Sequence, residues 1–182
     1  MTIRCTWVAL GALPVLLGAC ASPAPERFDP ASQARLRVYH GASAHLIIHH
    51  GCGKTESIHA AAGGFSYLAR NKTLGMPRPP SMPSFSFHEY ALPAGKPVTV
   101  SMFWQMQDAS GVWRRCGPSE LIFTPKVGQD YETFMLVDSW SSTCKHVEVR
   151  RLVRAADGRI EFDDVPLVAS TRRPLCPEPP AR

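Results

Sequence analysis

The stretch that decides the fold is "FSFHEYALPAGKPVTVSMFW", residues 85–104, in which apolar and polar residues alternate on both sides of a turn. The runs "FSFHEYAL" and "VTVSMFW" each have the period of two that is typical of a strand with one buried face. Between them lie the turn formers Pro93, Gly95 and Pro97. Residues 85–104 are therefore predicted to form a β-hairpin.

Alternating runs of the same kind recur along the chain. "ARLRVYH" at 34–40, "HLIIHH" at 45–50 and "KHVEVRRLV" at 145–153 are predicted strands. "ELIFTP" and "YETFMLV" are predicted to form a second hairpin, and Asp157-Gly158 is predicted to turn the chain into the strand "RIEF". About eight short strands with frequent turns are typical of a β-sandwich or barrel. We therefore predict an all-β fold, a single antiparallel β-sandwich of the immunoglobulin or transthyretin type.

One long segment within the predicted sandwich has no strand pattern. Residues 63–84 begin with a glycine pair and contain four prolines: Pro77, Pro79, Pro80 and Pro83. A loop of that length without its own secondary structure is uncommon and is often functional. The sandwich domain is accordingly assigned to 34–168, with the loop 63–84 inside it, and a proline-rich C-terminal tail to 169–182.

The first twenty residues, "MTIRCTWVALGALPVLLGAC", have the layout of an export signal. Arg4 supplies the positive charge, and an apolar run of about ten residues follows from Val8 to Leu17. A membrane-spanning helix needs roughly 20 apolar residues, so this run is too short to be one. Residues 1–19 are predicted to be a signal peptide.

The end of that signal, Leu17-Gly18-Ala19-Cys20, resembles the lipobox of bacterial lipoproteins. In that family the cysteine thiol receives a diacylglyceryl group and the chain is cut just before it. The resemblance implies lipidation at Cys20 and residues 20–33 as a flexible proline-rich tether. It also implies the periplasmic face of the outer membrane, because Ala21 and Ser22 stand where inner-membrane lipoproteins often carry aspartate. The alternative is an ordinary signal peptide with a chance cysteine near its end.

Charge excludes one class of partner. Without the signal the chain has nineteen basic and fifteen acidic residues, a formal charge of +4 that is spread along the sequence. Nucleic-acid binding needs a basic stripe or patch, so no nucleic-acid partner is predicted. The predicted partners are the membrane, through the anchor at Cys20, and an envelope protein or peptidoglycan.

Four cysteines remain after Cys5 leaves with the signal and Cys20 carries lipid: Cys52, Cys116, Cys144 and Cys176. An even number in an exported chain predicts disulfides, with three alternative pairings. We favour Cys116–Cys144, which flank two predicted strands at 119–125 and 130–138. Cys52–Cys176 would then tie the tail to the domain.

The stretch "HHGCGKTES", residues 49–57, contains the Gly-Lys-Thr that ends a phosphate-binding loop. Such a loop also needs a glycine five positions before Gly53, and that position is Ile48. Such a loop must also open a helix, and the downstream residues Ala60 to Gly64 predict a weak helix at best. No nucleotide and no other cofactor is therefore predicted.

Histidines are concentrated in one region, since five of the seven lie within twenty residues of one another: His40, His45, His49, His50 and His59. Imidazole suits zinc, copper and nickel, so His49, His50 and His59 are candidate metal ligands. His45 and His49 fall on one face of a predicted strand but about 13 Å apart, too far to share an ion. The alternative is a histidine-rich polar face that binds no metal.

Enzyme signatures are incomplete. Residues 64–68 lack the closing glycine of a nucleophile elbow, and His88-Glu89 lacks the second histidine of a zinc protease motif. The chain is therefore not predicted to be an enzyme. An aromatic group consisting of Phe103, Trp104, Trp113 and Trp140 is predicted either to line a ligand-binding face or to pack in the core.

Three segments, "LGMP" (74–77), "YALPAGKPVTV" (90–100) and "LIFTPKVGQDYE" (121–132), resemble a group of uncharacterised proteobacterial outer-membrane lipoproteins. The resemblance implies a lipidated cysteine, a short tether and a small β-sandwich, and it brings no catalytic residues. We therefore expect a non-enzymatic binding or structural module of the envelope. The alternatives are a periplasmic metal-binding protein that uses the histidines and an accessory lipoprotein of a secretion apparatus.

Overall fold

A computed structural model of the chain describes residues 27–51, 53–63, 71–78, 86–107, 110–138 and 143–169, without the side chains of 138 and 143–145. The predicted signal peptide, the lipobox and the first half of the tether, residues 20–26, lie outside these ranges. The described residues form ten strands and no helix. The strands are β1 (Gln33–Tyr39), β2 (Ser43–His49), β3 (Thr55–Ala61), β4 (Phe87–Pro93), β5 (Val98–Gln107), β6 (Trp113–Phe123), β7 (Asp130–Asp138), β8 (Thr143–Arg154), β9 (Ile160–Asp164) and β10 (Val168–Ala169).

The strands form two sheets. The first has the order β4-β1-β7-β8-β9, and the second the order β10-β6-β5-β2-β3, in which β10 contributes only two residues. The predicted all-β class is confirmed. The sheets are mostly antiparallel, but β1 and β7 are parallel, so the expectation of a purely antiparallel fold was wrong at this pair. In the ranges given above, no helix has the length and apolar character needed to span a membrane.

Apolar residues from both sheets meet in one core. Leu36 and Val38 of β1 face Leu46 of β2 and Val100 of β5, and all four are fully buried. These residues alternate with polar ones along their strands, which is why each sheet presents one apolar face. Burying a side chain of this size stabilises the fold by about 1.5–3 kcal/mol, so the two sheets are held face to face as a sandwich.

Two of the predicted hairpins do not form. β4 pairs with β1 in the first sheet, while β5 pairs with β2 and β6 in the second, so the turn in 85–104 carries the chain from one sheet to the other. The link between β6 and β7 crosses in the same way. Alternation specifies which face of a strand is buried and leaves its pairing partner open, because both sheets bury a face in the same core.

The hairpin at Asp157-Gly158 is confirmed, since β8 and β9 pair in antiparallel register on either side of it. β3 was not predicted and pairs with β2 along its whole length. β3 is an edge strand, and most of its residues are exposed: only its last two, Ala60 and Ala61, are buried. Because one face is not buried along its whole length, its sequence lacks the regular alternation that predicts a strand.

The two ends of the sandwich differ in what they contain. At the end that we call the entry end, the chain joins β1, and the backbone N–H groups of Ala94 and Gly128 donate to the carbonyls of Ser32 and Gln33. At the opposite end, called the far end, β1 finishes at Tyr39 and the chain crosses to β2. Seven residues at about 3.3 Å each place the two ends roughly 20 Å apart.

A buried ion pair lies on the outer face of the first sheet. Arg37 and Glu89 are fully buried, and Arg37 Nη2 lies 2.7 Å from Glu89 Oε1. Arg37 also donates to the carbonyls of Met76 and Pro77, so residues 71–78 are held over the sheet. The alternation in β1 predicted a strand with one buried and one exposed face. Most of β1 is buried on both faces, because residues 71–78 cover its polar face.

Candidate functional site at the far end

A cavity of about 370 Å³ opens at the far end because β1 stops before β7 does. β1 pairs with β7 only as far as Val38↔Thr133, whereas β7 runs on to Asp138. The space beyond the last pair is lined by Tyr39, His40, Trp104, Phe134, Met135 and Leu136. The walls are therefore mainly aromatic and aliphatic.

One wall of the cavity is held rigidly by aromatic and polar contacts. The Tyr39 ring packs edge-on against Phe87 and Phe134, with ring centroids 6.1 and 6.3 Å away. Its hydroxyl donates to Glu132 Oε2 at 3.0 Å, and Arg150 Nε donates to the other oxygen of that carboxylate at 2.5 Å. Burial, reinforced by the charge of Glu132, raises the pKa of Tyr39 to about 12, so the ring remains neutral.

His40 is the polar group of the cavity that is least satisfied. His40 is only 7% exposed, and neither of its ring nitrogens has a hydrogen-bond partner in the part of the chain described. The ring packs edge-on against His88 with centroids 4.5 Å apart. A buried polar group without a partner costs about 1–3 kcal/mol. Both nitrogens are themselves buried, so the ring would have to turn towards the cavity before a ligand there could recover this cost by bonding to it.

The environment of His40 also controls its charge. Burial and the neighbouring His88 hold the pKa of His40 below its ordinary value of 6.5. The ring is therefore neutral at pH 7, with one N–H to donate and one nitrogen to accept. Such a ring suits a ligand with a neutral hydroxyl or amide group.

We predict that the free energy of unfolding decreases as the pH is lowered from 7.5 to 5. In the unfolded chain His40 binds a proton near its ordinary pKa of 6.5, whereas the folded protein resists protonation until a lower pH. The stabilisation is complete above 6.5 and declines as the pH falls towards the folded pKa. Urea unfolding at several pH values measures it, and the decrease should be smaller in His40→Phe. An equal decrease in both proteins would assign it to other groups.

The aromatic residues singled out in the sequence do not share one place. Trp104 lines the cavity, while Trp113 is 54% exposed on the projecting part of the β5–β6 hairpin. Phe103 is half-buried on β5, and Trp140 lies outside the described residues. The sequence therefore indicated one wall of the cavity and missed Tyr39, His40 and Phe134.

The predicted metal ligands His49 and His50 make separate contacts near the entry end. His49 Nε2 lies 2.8 Å from the Thr99 hydroxyl. His50 Nε2 lies 3.1 Å from Glu56 Oε2, and the Lys96 ammonium donates to its other nitrogen at 2.8 Å. An ammonium group beside His50 disfavours a metal cation there.

The third predicted ligand, His59, contacts His45, which was not among the predicted metal ligands. His59 Nδ1 lies 3.2 Å from His45 Nε2 on the neighbouring strand. His49 lies opposite Thr55 of β3, and Thr55 is four residues from His59 along that strand. His49 and His59 are therefore about 13 Å apart along the strand direction. The structure thus does not bring His49, His50 and His59 together. No group of three or more histidine, cysteine or acidic side chains that could hold a metal occurs among the residues described.

Cys116 is buried on β6 and is disulfide-bonded. Cys144 lies on β8, and β6 and β8 contact each other. Cys52 and Cys176 lie outside the described residues, as does Cys20. The pairings Cys116–Cys144 and Cys52–Cys176 and the lipidation of Cys20 stay predictions.

No protein-family model, curated protein or solved structure matches the chain. The resemblance to proteobacterial outer-membrane lipoproteins therefore rests on the quoted segments alone.

Proposed function

We propose that this protein is a lipid-anchored, non-enzymatic module of the bacterial envelope that binds a small, largely apolar ligand in the far-end cavity. The observation that carries the proposal is the His40 ring, buried and without a hydrogen-bond partner among the described residues, in the wall of an apolar cavity. A few polar groups in a mainly apolar cavity are typical of small-molecule sites, which commonly measure about 300–1,000 Å³. The cavity volume of about 370 Å³ lies at the lower end of that range.

The chemistry of the cavity favours a compact ligand with an aromatic or branched aliphatic body. Tyr39, Trp104 and Phe134 are among the residues that line the cavity, and aromatic side chains favour a ligand of this kind. Once its ring had turned towards the cavity, His40 would make a single hydrogen bond to a neutral hydroxyl or amide on the ligand. We therefore propose phenol-like and amide-bearing aromatic compounds as the ligand class.

The fold subtype and the orientation belong to the same proposal. The repeated crossing of the chain between the sheets, at β4–β5 and β6–β7, supports an immunoglobulin-like or transthyretin-like sandwich.

If Cys20 is lipidated, the entry end faces the outer membrane, because the tether joins β1 there. The cavity, roughly 20 Å further along β1, would open towards the periplasm.

The test is a binding measurement with a panel of substituted phenols and benzamides, followed by calorimetry and by tryptophan fluorescence. His40→Phe keeps a ring of similar size but removes the hydrogen bond, and we expect it to weaken binding by about 2- to 12-fold, which corresponds to roughly 0.5–1.5 kcal/mol. Leu136→Trp fills the cavity and should abolish binding. Trp113→Ala, which changes an exposed aromatic residue away from the cavity, is the matched control.

Two results would contradict the proposal. If no compound binds the wild-type protein, the cavity is not a site for this class of ligand. If a compound binds and neither His40→Phe nor Leu136→Trp changes its affinity, it binds elsewhere.

A further inference from the structure

We propose that His45 and His59 form a two-histidine site for a transition-metal ion, with Cu²⁺ and Zn²⁺ as the ions it fits best. The site is separate from the far-end cavity and uses the outer face of the second sheet. It therefore goes beyond the proposed function and does not depend on it.

The sheet itself brings the two rings together. His45 on β2 and His59 on β3 are directly opposite in the antiparallel register. Ala44 and Leu46, the chain neighbours of His45, are fully buried in the core, so His45 points to the outer face. Both histidines are exposed, so an ion from solution can reach them.

The distance between the rings matches the geometry of a shared metal ion. His59 Nδ1 and His45 Nε2 are 3.2 Å apart, and the ring planes make an angle of 70°. Two imidazole nitrogens at about 2.0–2.1 Å from a tetrahedral zinc ion are roughly 3.3 Å apart. The two nitrogens thus already have the separation of two ligands of one ion.

Metal binding requires one proton to move. In the metal-free pair, one ring donates an N–H to the nitrogen of the other, so a proton occupies the space between them. When the ion enters, that ring must present a lone pair, and its proton is carried by the other nitrogen of the same ring. Both rings stay neutral, and the balance of protons and charge on the protein is unchanged.

Two neighbouring strands hold the ligands, which lowers the entropy cost of chelation compared with two histidines on flexible loops. Imidazole nitrogen is a preferred ligand of both ions, and Cu²⁺ is bound more tightly than Zn²⁺ by a given set of ligands. The described residues provide no third histidine, cysteine or acidic ligand. Water would complete the coordination, so the site would exchange its metal readily and would not be a permanent structural centre.

The experiment is a calorimetric titration of Cu²⁺ and, separately, Zn²⁺ into the full protein extracted from membranes and treated with a chelator. We expect one equivalent of each ion to bind. His45→Ala and His59→Ala should each weaken the affinity for Cu²⁺ at least tenfold, because a single imidazole cannot chelate. The double variant His49→Ala/His50→Ala is the matched control and should bind as the wild type does.

Electron paramagnetic resonance of the Cu²⁺ complex gives a second readout that does not depend on affinity. The wild-type spectrum should show two nitrogen ligands, and the spectra of His45→Ala and His59→Ala should show one. Circular dichroism checks that the variants are folded, which we expect because both side chains are exposed. Unchanged affinity and an unchanged spectrum in these variants, or a loss confined to His49→Ala/His50→Ala, would overturn the proposal.

Discussion

Replacing Glu89 with alanine is expected to lower the free energy of unfolding by about 3–5 kcal/mol, the cost of leaving one partner of a buried ion pair alone. The Glu89 carboxylate accepts two hydrogen bonds from Arg37, at 3.1 and 2.7 Å. It also accepts one from the Thr73 hydroxyl at 3.0 Å and others from the backbone N–H groups of Leu74 and Met76. The substitution would leave a fully buried guanidinium without its counter-ion and would release residues 73–76.

Urea unfolding measures this change, which is a large fraction of a total stability of about 5–15 kcal/mol for a domain of this kind. The matched control is Glu161→Ala, because Glu161 is an exposed carboxylate 3.8 Å from Arg159. We expect less than about 0.5 kcal/mol for the control. The double variant Arg37→Met/Glu89→Leu should recover only part of the loss, since it removes both buried charges but leaves the backbone N–H groups of Leu74 and Met76 without their acceptor. A Glu89→Ala variant as stable as Glu161→Ala would contradict the assigned role.

Replacing Cys20 with alanine is expected to move the protein almost completely from the membrane fraction to the soluble fraction. Each buried CH₂ of an acyl chain contributes about 0.8 kcal/mol to membrane binding, and two or more chains are needed for a firm anchor. The expected lipidation of Cys20 would supply them. Cell fractionation and labelling with a fatty-acid analogue measure the effect.

Cys5→Ala is the control for Cys20→Ala, because Cys5 lies in the predicted signal peptide. It should leave both labelling and fractionation unchanged. A Cys20→Ala protein that still labels and still sediments with membranes would show that this cysteine is not the anchor.

Local sequence patterns predicted the fold class but not the topology. The alternation of Leu36 and Val38, and of Val98 and Val100, correctly indicated strands with an inward apolar face. The pairing of β1 with β7 joins residues about ninety-five positions apart, as shown by the ion pair of Arg35 and Asp130. No local pattern carries that information, because the partner of a strand is chosen by the packing of the whole domain.

The candidate site was harder to predict for a related reason. Arg37 and Tyr39 alternate with apolar residues, which is the pattern of a strand with a solvated outer face. They are buried because residues 71–78 and the neighbouring strands cover that face, and nothing adjacent in the chain indicates this. The cavity depends on the different lengths of β1 and β7, and His40 becomes part of it only because β1 ends beside it.

The parallel pair β1–β7 has a consequence for the order in which the protein assembles. Synthesis delivers the chain from its N-terminus, so β1 emerges long before its two neighbours in the sheet. β4 follows about fifty residues later, and β7 about ninety-five residues later. Contacts between such distant segments slow folding. During that interval β1 presents unpaired edges and uncovered apolar side chains, so the incomplete domain is prone to pair with other chains until β4 and β7 arrive.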